Sequence, residues 1–244
     1  MRQMIAGMKQ LDVSDPASDH LASYLYTADS RMAGLITELD DLMAEPRNDT
    51  MRKRAGEIME MIAMLSFMAL SGTSTIKSFQ SAGPQIDLLV EGSDLHWKLV
   101  RKYCYFRKRR RGLVVEAKAT GEKVNDAVFA RLCAIMDHNL PHVGLGVFFT
   151  FNGASGFPTP ESSRSLRTLK DCRLRQALYY ARTRKPVIVF DSMDIRQLAQ
   201  NGSLPQLVHE KVKEISEATG WATPPVASFC KRHTLPKHLR DLLI

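Results

Sequence analysis

The clearest hydrophobic pattern is a repeat of apolar residues at Leu21, Leu25, Ala28, Met32, Leu35, Leu39 and Leu42. The alternating steps of four and three predict a long helix over 21–42, with Pro16 and Ser18 near its start and Pro46 beyond its end. The stripe suits either a helix packed on its own domain or, at three heptads, a homodimer seam. A second helix over about 51–70 has Asn48, Asp49 and Thr50 as capping candidates and Ser71-Gly72 as its stop. Its apolar face is Ala55, Ile58, Met59, Ile62, Leu65 and Ala69, with Glu57 and Glu60 on another face. Thr75 to Phe79 is a short candidate strand. Two apolar runs then follow, Ile86 to Val90 and Gly112 to Ala119, each bounded by Gly or Pro and short enough for buried strands.

Beyond them the pattern alternates. A helix is predicted over 121–138, then a strand over 142–150 that is apolar on both faces and so covered on both sides. A small-residue loop, 152–156, leads to a helix over about 162–182, a strand over 186–190, and helices near 192–200 and 204–218. This alternation predicts an α/β fold whose second half is mostly parallel. The expected division is an N-terminal helical extension over 1–48, a core over 49–220 and a C-terminal tail over 221–244.

Between the two apolar runs, 95–111 carries Lys98, Arg101, Lys102, Arg107, Lys108, Arg109, Arg110 and Arg111 without an acidic residue, interleaved with Trp97, Tyr103, Tyr105 and Phe106. The first part suits a middle strand and Phe106 to Gly112 a turn. Basic residues with aromatics can neutralise phosphates and offer stacking surfaces, although a hairpin tip rich in arginine also keeps a sheet edge soluble. A net charge of +8 and a pI near 9.4 point the same way, towards a polyanionic partner.

Charge inside apolar strands is costly unless it is paired or bound to metal. Asp87 opens the first run, and Glu116 closes the second with Lys118 two residues on, hence on the same strand face. Two carboxylates and a lysine at strand ends make a candidate site for a hard divalent cation.

The other constellations point elsewhere or nowhere. Four dispersed cysteines without a CxxC pair argue against a disulfide framework or zinc ribbon and suit a reducing cytoplasm. Cys230, His233 and His238 lack a clear fourth zinc ligand and are better explained by a polar tail. No phosphate-loop signature and no Gly-x-Ser-x-Gly elbow occurs. The longest apolar run, 143–151, is far short of the roughly 20 residues a membrane helix needs, so no membrane partner is expected.

The order Gly83-Pro84-Gln85-Ile86-Asp87, hairpin, Glu116-Ala117-Lys118 resembles the PD-(D/E)xK nuclease superfamily. The preceding helix, the covered strand with its small-residue loop, and the late strand make the Mrr-like restriction endonuclease branch the most similar, over about residues 50–200. The resemblance implies a restriction-endonuclease-like core, a mixed central sheet flanked by helices. It further implies a Mg²⁺- or Mn²⁺-dependent endonuclease hydrolysing phosphodiester bonds, most simply in DNA. Asp87 and Glu116 would be the metal ligands, with the Ala117 carbonyl as a third oxygen and Lys118 as the catalytic cation. Gln85 would touch the scissile phosphate, and Glu60 (in the form Gly-x-x-x-Glu, with Glu57 its rival) would approach from the helix. The basic insertion is longer than most family hairpins carry and is not part of the motif. The alternative is a catalytically silent nucleic-acid-binding or assembly subunit that keeps the fold.

Overall fold

The computed structural model of the protein describes residues 22–44, 48–79, 86–104, 106, 109–157, 169–200 and 202–217. Five strands form one mixed sheet in the order β1-β2-β3-β4-β5. These are β1 (Thr73–Phe79), β2 (Ile86–Gly92), β3 (Gly112–Lys118), β4 (Val143–Thr150) and β5 (Val187–Phe190). Strand β2 runs antiparallel to both of its neighbours, β1 and β3, and β3, β4 and β5 run parallel. This is the α/β alternation expected from the pattern, with the parallel half where the sequence has helices between its strands.

Helices cover both faces. On one side lie α1 (Arg31–Ala44), α2 (Asp49–Met68), α3 (Leu95–Tyr103), α6 (Ser192–Gln200) and α7 (Leu204–Glu217). Their apolar residues share a core with Val115 and Ala117 of β3 and with Val147 and Phe149 of β4. On the other side lie α4 (Asp126–Ala134), prolonged by a π-turn over Ile135–Asn139, and α5 (Asp171–Thr183). These pack on Leu89, Val114 and Phe148. Every residue of β4 is buried, which is why its sequence shows no alternation. Among the described residues no helix is long and apolar enough to cross a membrane.

Two expectations are corrected. The 21–42 stripe is not one helix. Residues 22–25 form a short helical turn, and Tyr26 then leaves the helix to bridge Leu70 in antiparallel fashion. Ser71 donates its backbone N–H to the Leu25 carbonyl at 2.8 Å. A new helix starts at Arg31, whose backbone N–H is accepted by the Asp29 carboxylate at 2.9 Å. Pairing with the end of α2 thus outweighs continuation of the heptad. The stripe itself faces inward, since Met32 and Leu39 are buried in the chain's own core and Leu35 and Leu42 are packed against it.

Residues 95–103 form helix α3, not a middle strand. Asp94 accepts the backbone N–H of Trp97 at 2.8 Å and caps the helix start. Trp97, Val100 and Tyr103 recur at steps of three and are buried together with Leu99. That period is helical, and the basic residues of the segment disguise it. The Trp97 indole also donates to the Arg111 carbonyl at 2.8 Å, so the helix is tied back to the entry of β3.

Candidate active site

Strand pairing brings the two predicted acids together. Leu88 stands opposite Val115, so one step further Asp87 stands opposite Glu116, on one face of the sheet. The Asp87 carboxylate accepts the backbone N–H of Ala117 at 2.6 Å, locking it to β3. Lys118 lies one strand period beyond Glu116, and its Nζ is 2.8 Å from Glu116 Oε1. The same Oε1 accepts from the guanidinium of Arg131, on α4. Glu116 is 1% exposed, and its second oxygen, Oε2, is buried with no hydrogen-bond partner.

A buried carboxylate oxygen with nothing to bond is expensive, and a cation is the usual remedy. Asp87 tells the same story electrostatically. Burial pushes its carboxyl above the ordinary range, and the neighbouring charge of Glu116 pushes it further. The Ala117 N–H, Lys118 and Arg131 offset only part of this. Asp87 is therefore short of positive charge despite the two cations near it.

Helix α2 brings a third acid to the same end of the sheet from the opposite face. Glu60 lines a cleft of about 640 Å³ together with Arg52, Gly56 and residues 117–122. Its carboxyl is raised by burial and then by the charge of Asp87, while Lys118 lowers it. Glu57, the rival, lies 3.8 Å from Arg54 as an exposed ion pair, away from this cleft. Glu60 is thus the helix acid that feels the site.

The loop after β3 forms the cleft's other wall. Asn152 donates to the Thr120 carbonyl at 3.2 Å, and Val124 bridges Ala154. At Gly153, φ is +72°, and its N–H is accepted by the Thr150 hydroxyl at 2.7 Å. The small-residue loop read from sequence therefore braces the wall of the site rather than touching its acids.

Among the described residues, no group of three or more His, Cys, Asp or Glu side chains stands close enough to cage a metal. A hard cation here would be held by Asp87 and Glu116, with backbone or water oxygens completing its shell. Magnesium, which keeps several waters and commonly takes only one or two carboxylates, fits such a donor set. The residues present fit the ion.

The described part of the basic insertion is not brought to this site. Gly112, where it rejoins the sheet, is four residues from Glu116 on β3, about 13 Å along an extended strand. Arg109 and Arg111 line a separate cleft of about 660 Å³ with Ser74, Glu91, Gly92, Ser93 and His142. Arg110 donates to the Pro141 carbonyl, also at that end. Lys98 and Lys102 are exposed on α3, and Arg101 is half-buried there. Standing between two acids in sequence means standing at the far end of their hairpin in space. Gln85, Arg107, Lys108 and the tail with Cys230, His233 and His238 lie outside the described residues.

Arg131 is the site residue that sequence reasoning missed. Its signal was faint: the one cation of the short, mostly apolar helix α4, which crosses over the sheet directly after the Glu-x-Lys strand. Comparison with family models, with curated proteins and with solved structures gives no match for this chain.

Proposed function

We propose that the protein is a divalent-metal-dependent nuclease that hydrolyses phosphodiester bonds, most simply in DNA, on a PD-(D/E)xK-type core. The observation that carries this reading is the closeness of Asp87, held by the Ala117 N–H, to Glu116, whose buried Oε2 lacks a partner, next to the ammonium of Lys118. A mixed sheet with helices on both faces and an acid-bearing helix before it supports the restriction-endonuclease-like assignment. The net charge of +8 supports a nucleic-acid substrate.

In this reading Asp87 and Glu116 bind the metal. When bound, a divalent ion supplies Lewis-acid polarisation of the phosphodiester and a more acidic water. Hydrolysis joins a water oxygen to phosphorus and breaks the bond to one sugar oxygen. Lys118, partly exposed and held by Glu116, is positioned to orient that water or to stabilise negative charge on the phosphoryl oxygens. Glu60, raised by burial and by Asp87, borders the same cleft and can accept a hydrogen bond or a proton from water there.

The experiment is a Mg²⁺-dependent cleavage assay across plasmid, modified, branched and single-stranded substrates, with Glu116→Ala as control. Cleavage by wild type should vanish in the variant while nucleic-acid binding largely persists; cleavage at the wild-type rate would remove Glu116 from the mechanism. One observation favours a second reading, a catalytically silent binding subunit. Glu116 Oε1 is already shared by two cations, as in a structural ion triad. Salt-sensitive binding without metal-dependent nicking of any substrate selects that reading.

A further inference from the structure

Arg131 carries an inference that rests on the nuclease reading and deepens it. The guanidinium bonds the one Glu116 oxygen that also meets Lys118, and leaves Oε2 without a partner. Its side chain is 47% exposed, whereas that of Glu116 is 2% exposed. The acid is thus enclosed, and the base stands at the surface with solvent on one side. Arg131 sits on α4, whose N-terminal half is held independently of the site. Asn125 caps it by accepting the Val128 N–H at 3.0 Å, and Asp126 is paired with Arg175 of α5. Phe129 and Leu132, on either side of Arg131, are buried against the sheet. A change of rotamer at Arg131 therefore asks nothing of the helix beneath it.

Two like charges compete for one carboxylate. A divalent ion shared by Asp87 and Glu116 brings more positive charge to Glu116 than a guanidinium does, and weakens the hold on Arg131. An arginine released beside a metal-bound phosphodiester finds a better partner in the phosphate, whose oxygens match its planar fork.

We propose that Arg131 is an exchangeable counter-ion of Glu116: it holds the carboxylate when no divalent ion does, and contacts the substrate phosphate when one does. Its presence tunes metal affinity downwards in the free protein and couples metal loading to nucleic-acid binding. Each favours the other, because the metal frees the arginine that the phosphate then engages.

The test separates this role from a brace that merely orients Glu116. Mn²⁺ affinity is measured by calorimetry on wild type, Arg131→Ala and Arg131→Gln without nucleic acid, with thermal melts as the check on folding. A counter-ion role predicts that both variants bind Mn²⁺ about three- to tenfold more tightly, because a half-exposed competing cation has gone. A brace predicts weaker or unchanged Mn²⁺ binding, and that result overturns the proposal. The second arm is binding of a short DNA duplex in Ca²⁺, with strand integrity verified on a gel. Here both variants should lose severalfold in affinity, and wild type should gain more from added Ca²⁺ than either; equal gains overturn the coupling. If wild type binds no Mn²⁺ at all, the nuclease reading falls and this inference with it. If wild type binds and the variants bind no tighter, only the role of Arg131 falls.

Discussion

At the scale of single residues, the two acids of the site have opposite energetics, although they stand side by side. Glu116 is buried but paired with two cations, so removing its charge strands Lys118 and Arg131. Asp87 is desolvated and faces a like charge, and among the described residues its direct hydrogen-bond partner is the Ala117 N–H. A carboxyl whose pKa is raised on folding binds protons more readily in the native state, so stability falls as pH rises through the carboxylate range. The cost is fully present at neutral pH and absent below the unfolded value. Asp87→Asn should therefore raise the melting temperature at pH 7, keep the Ala117 contact through its amide oxygen, and abolish metal-dependent cleavage. Its advantage should shrink on acidification, and Mg²⁺ should stabilise wild type but not the variant. Glu116→Gln should instead lower stability, by about 1–3 kcal/mol, as expected when a buried, hydrogen-bonded charge is removed. Chemical denaturation across pH measures both. If Asp87→Asn is destabilising at pH 7, the site is not strained by its own charge.

Elements were legible where one physical signal dominated. The strands carrying Asp87 and Glu116, the covered strand β4 and the helices at 192–200 and 204–217 fall close to where apolar runs and periodicity put them. Legibility failed where two signals overlapped. In 95–103 the basic residues Lys98, Arg101 and Lys102 mask a three-residue step of Trp97, Val100 and Tyr103, so a helical segment reads as a strand. In 21–42 an uninterrupted stripe concealed the break at Tyr26, because a bridge to Leu70 is a long-range contact that no local period announces. The same limit hid Arg131: a pair 15 residues apart depends on a crossover, not on spacing. Helix α2 offers a test at this scale. Gly56 lies in its interior beside the cleft, and a Cβ there meets nothing within 4 Å. Gly56→Ala should stabilise the fold by about 0.5–1 kcal/mol through helix propensity alone. Gly56→Phe should keep the fold and, under the proposed nuclease reading with substrate entering by this cleft, slow cleavage tenfold or more, because the ring projects into the cleft. Wild-type rates with Gly56→Phe would mean the substrate does not enter by this cleft.

Across the whole molecule, the sheet separates two kinds of charge. The acids that would hold a metal stand at one end of the β2–β3 hairpin, and Arg109, Arg110 and Arg111 stand at the other. Sequence order suggested a single composite site; the hairpin's geometry makes two. With about 13 Å of strand between Gly112 and Glu116, the proposed nuclease reading has Arg109 and Arg111 grip a backbone running past the acids rather than the phosphate held at them. Each phosphate neutralised by a cation contributes roughly 0.9 to the slope of log affinity against log salt on duplex DNA. The double variant Arg109→Ala/Arg111→Ala should therefore weaken duplex binding in dilute salt by about an order of magnitude and flatten that slope by roughly 2. Its single-turnover rate at saturating substrate should stay near wild type, since Asp87, Glu116 and Lys118 are untouched. Short oligonucleotides that span only the acidic end should bind wild type and variant equally well. The His142–Glu91 pair, 3.3 Å apart in the same cleft, gives the binding a further handle. An unchanged salt slope in the double variant would leave the cleft at that end without a role in binding. A slower saturated rate would mean instead that the two ends act on one phosphate, and that the hairpin separates them less in the complex than it does here.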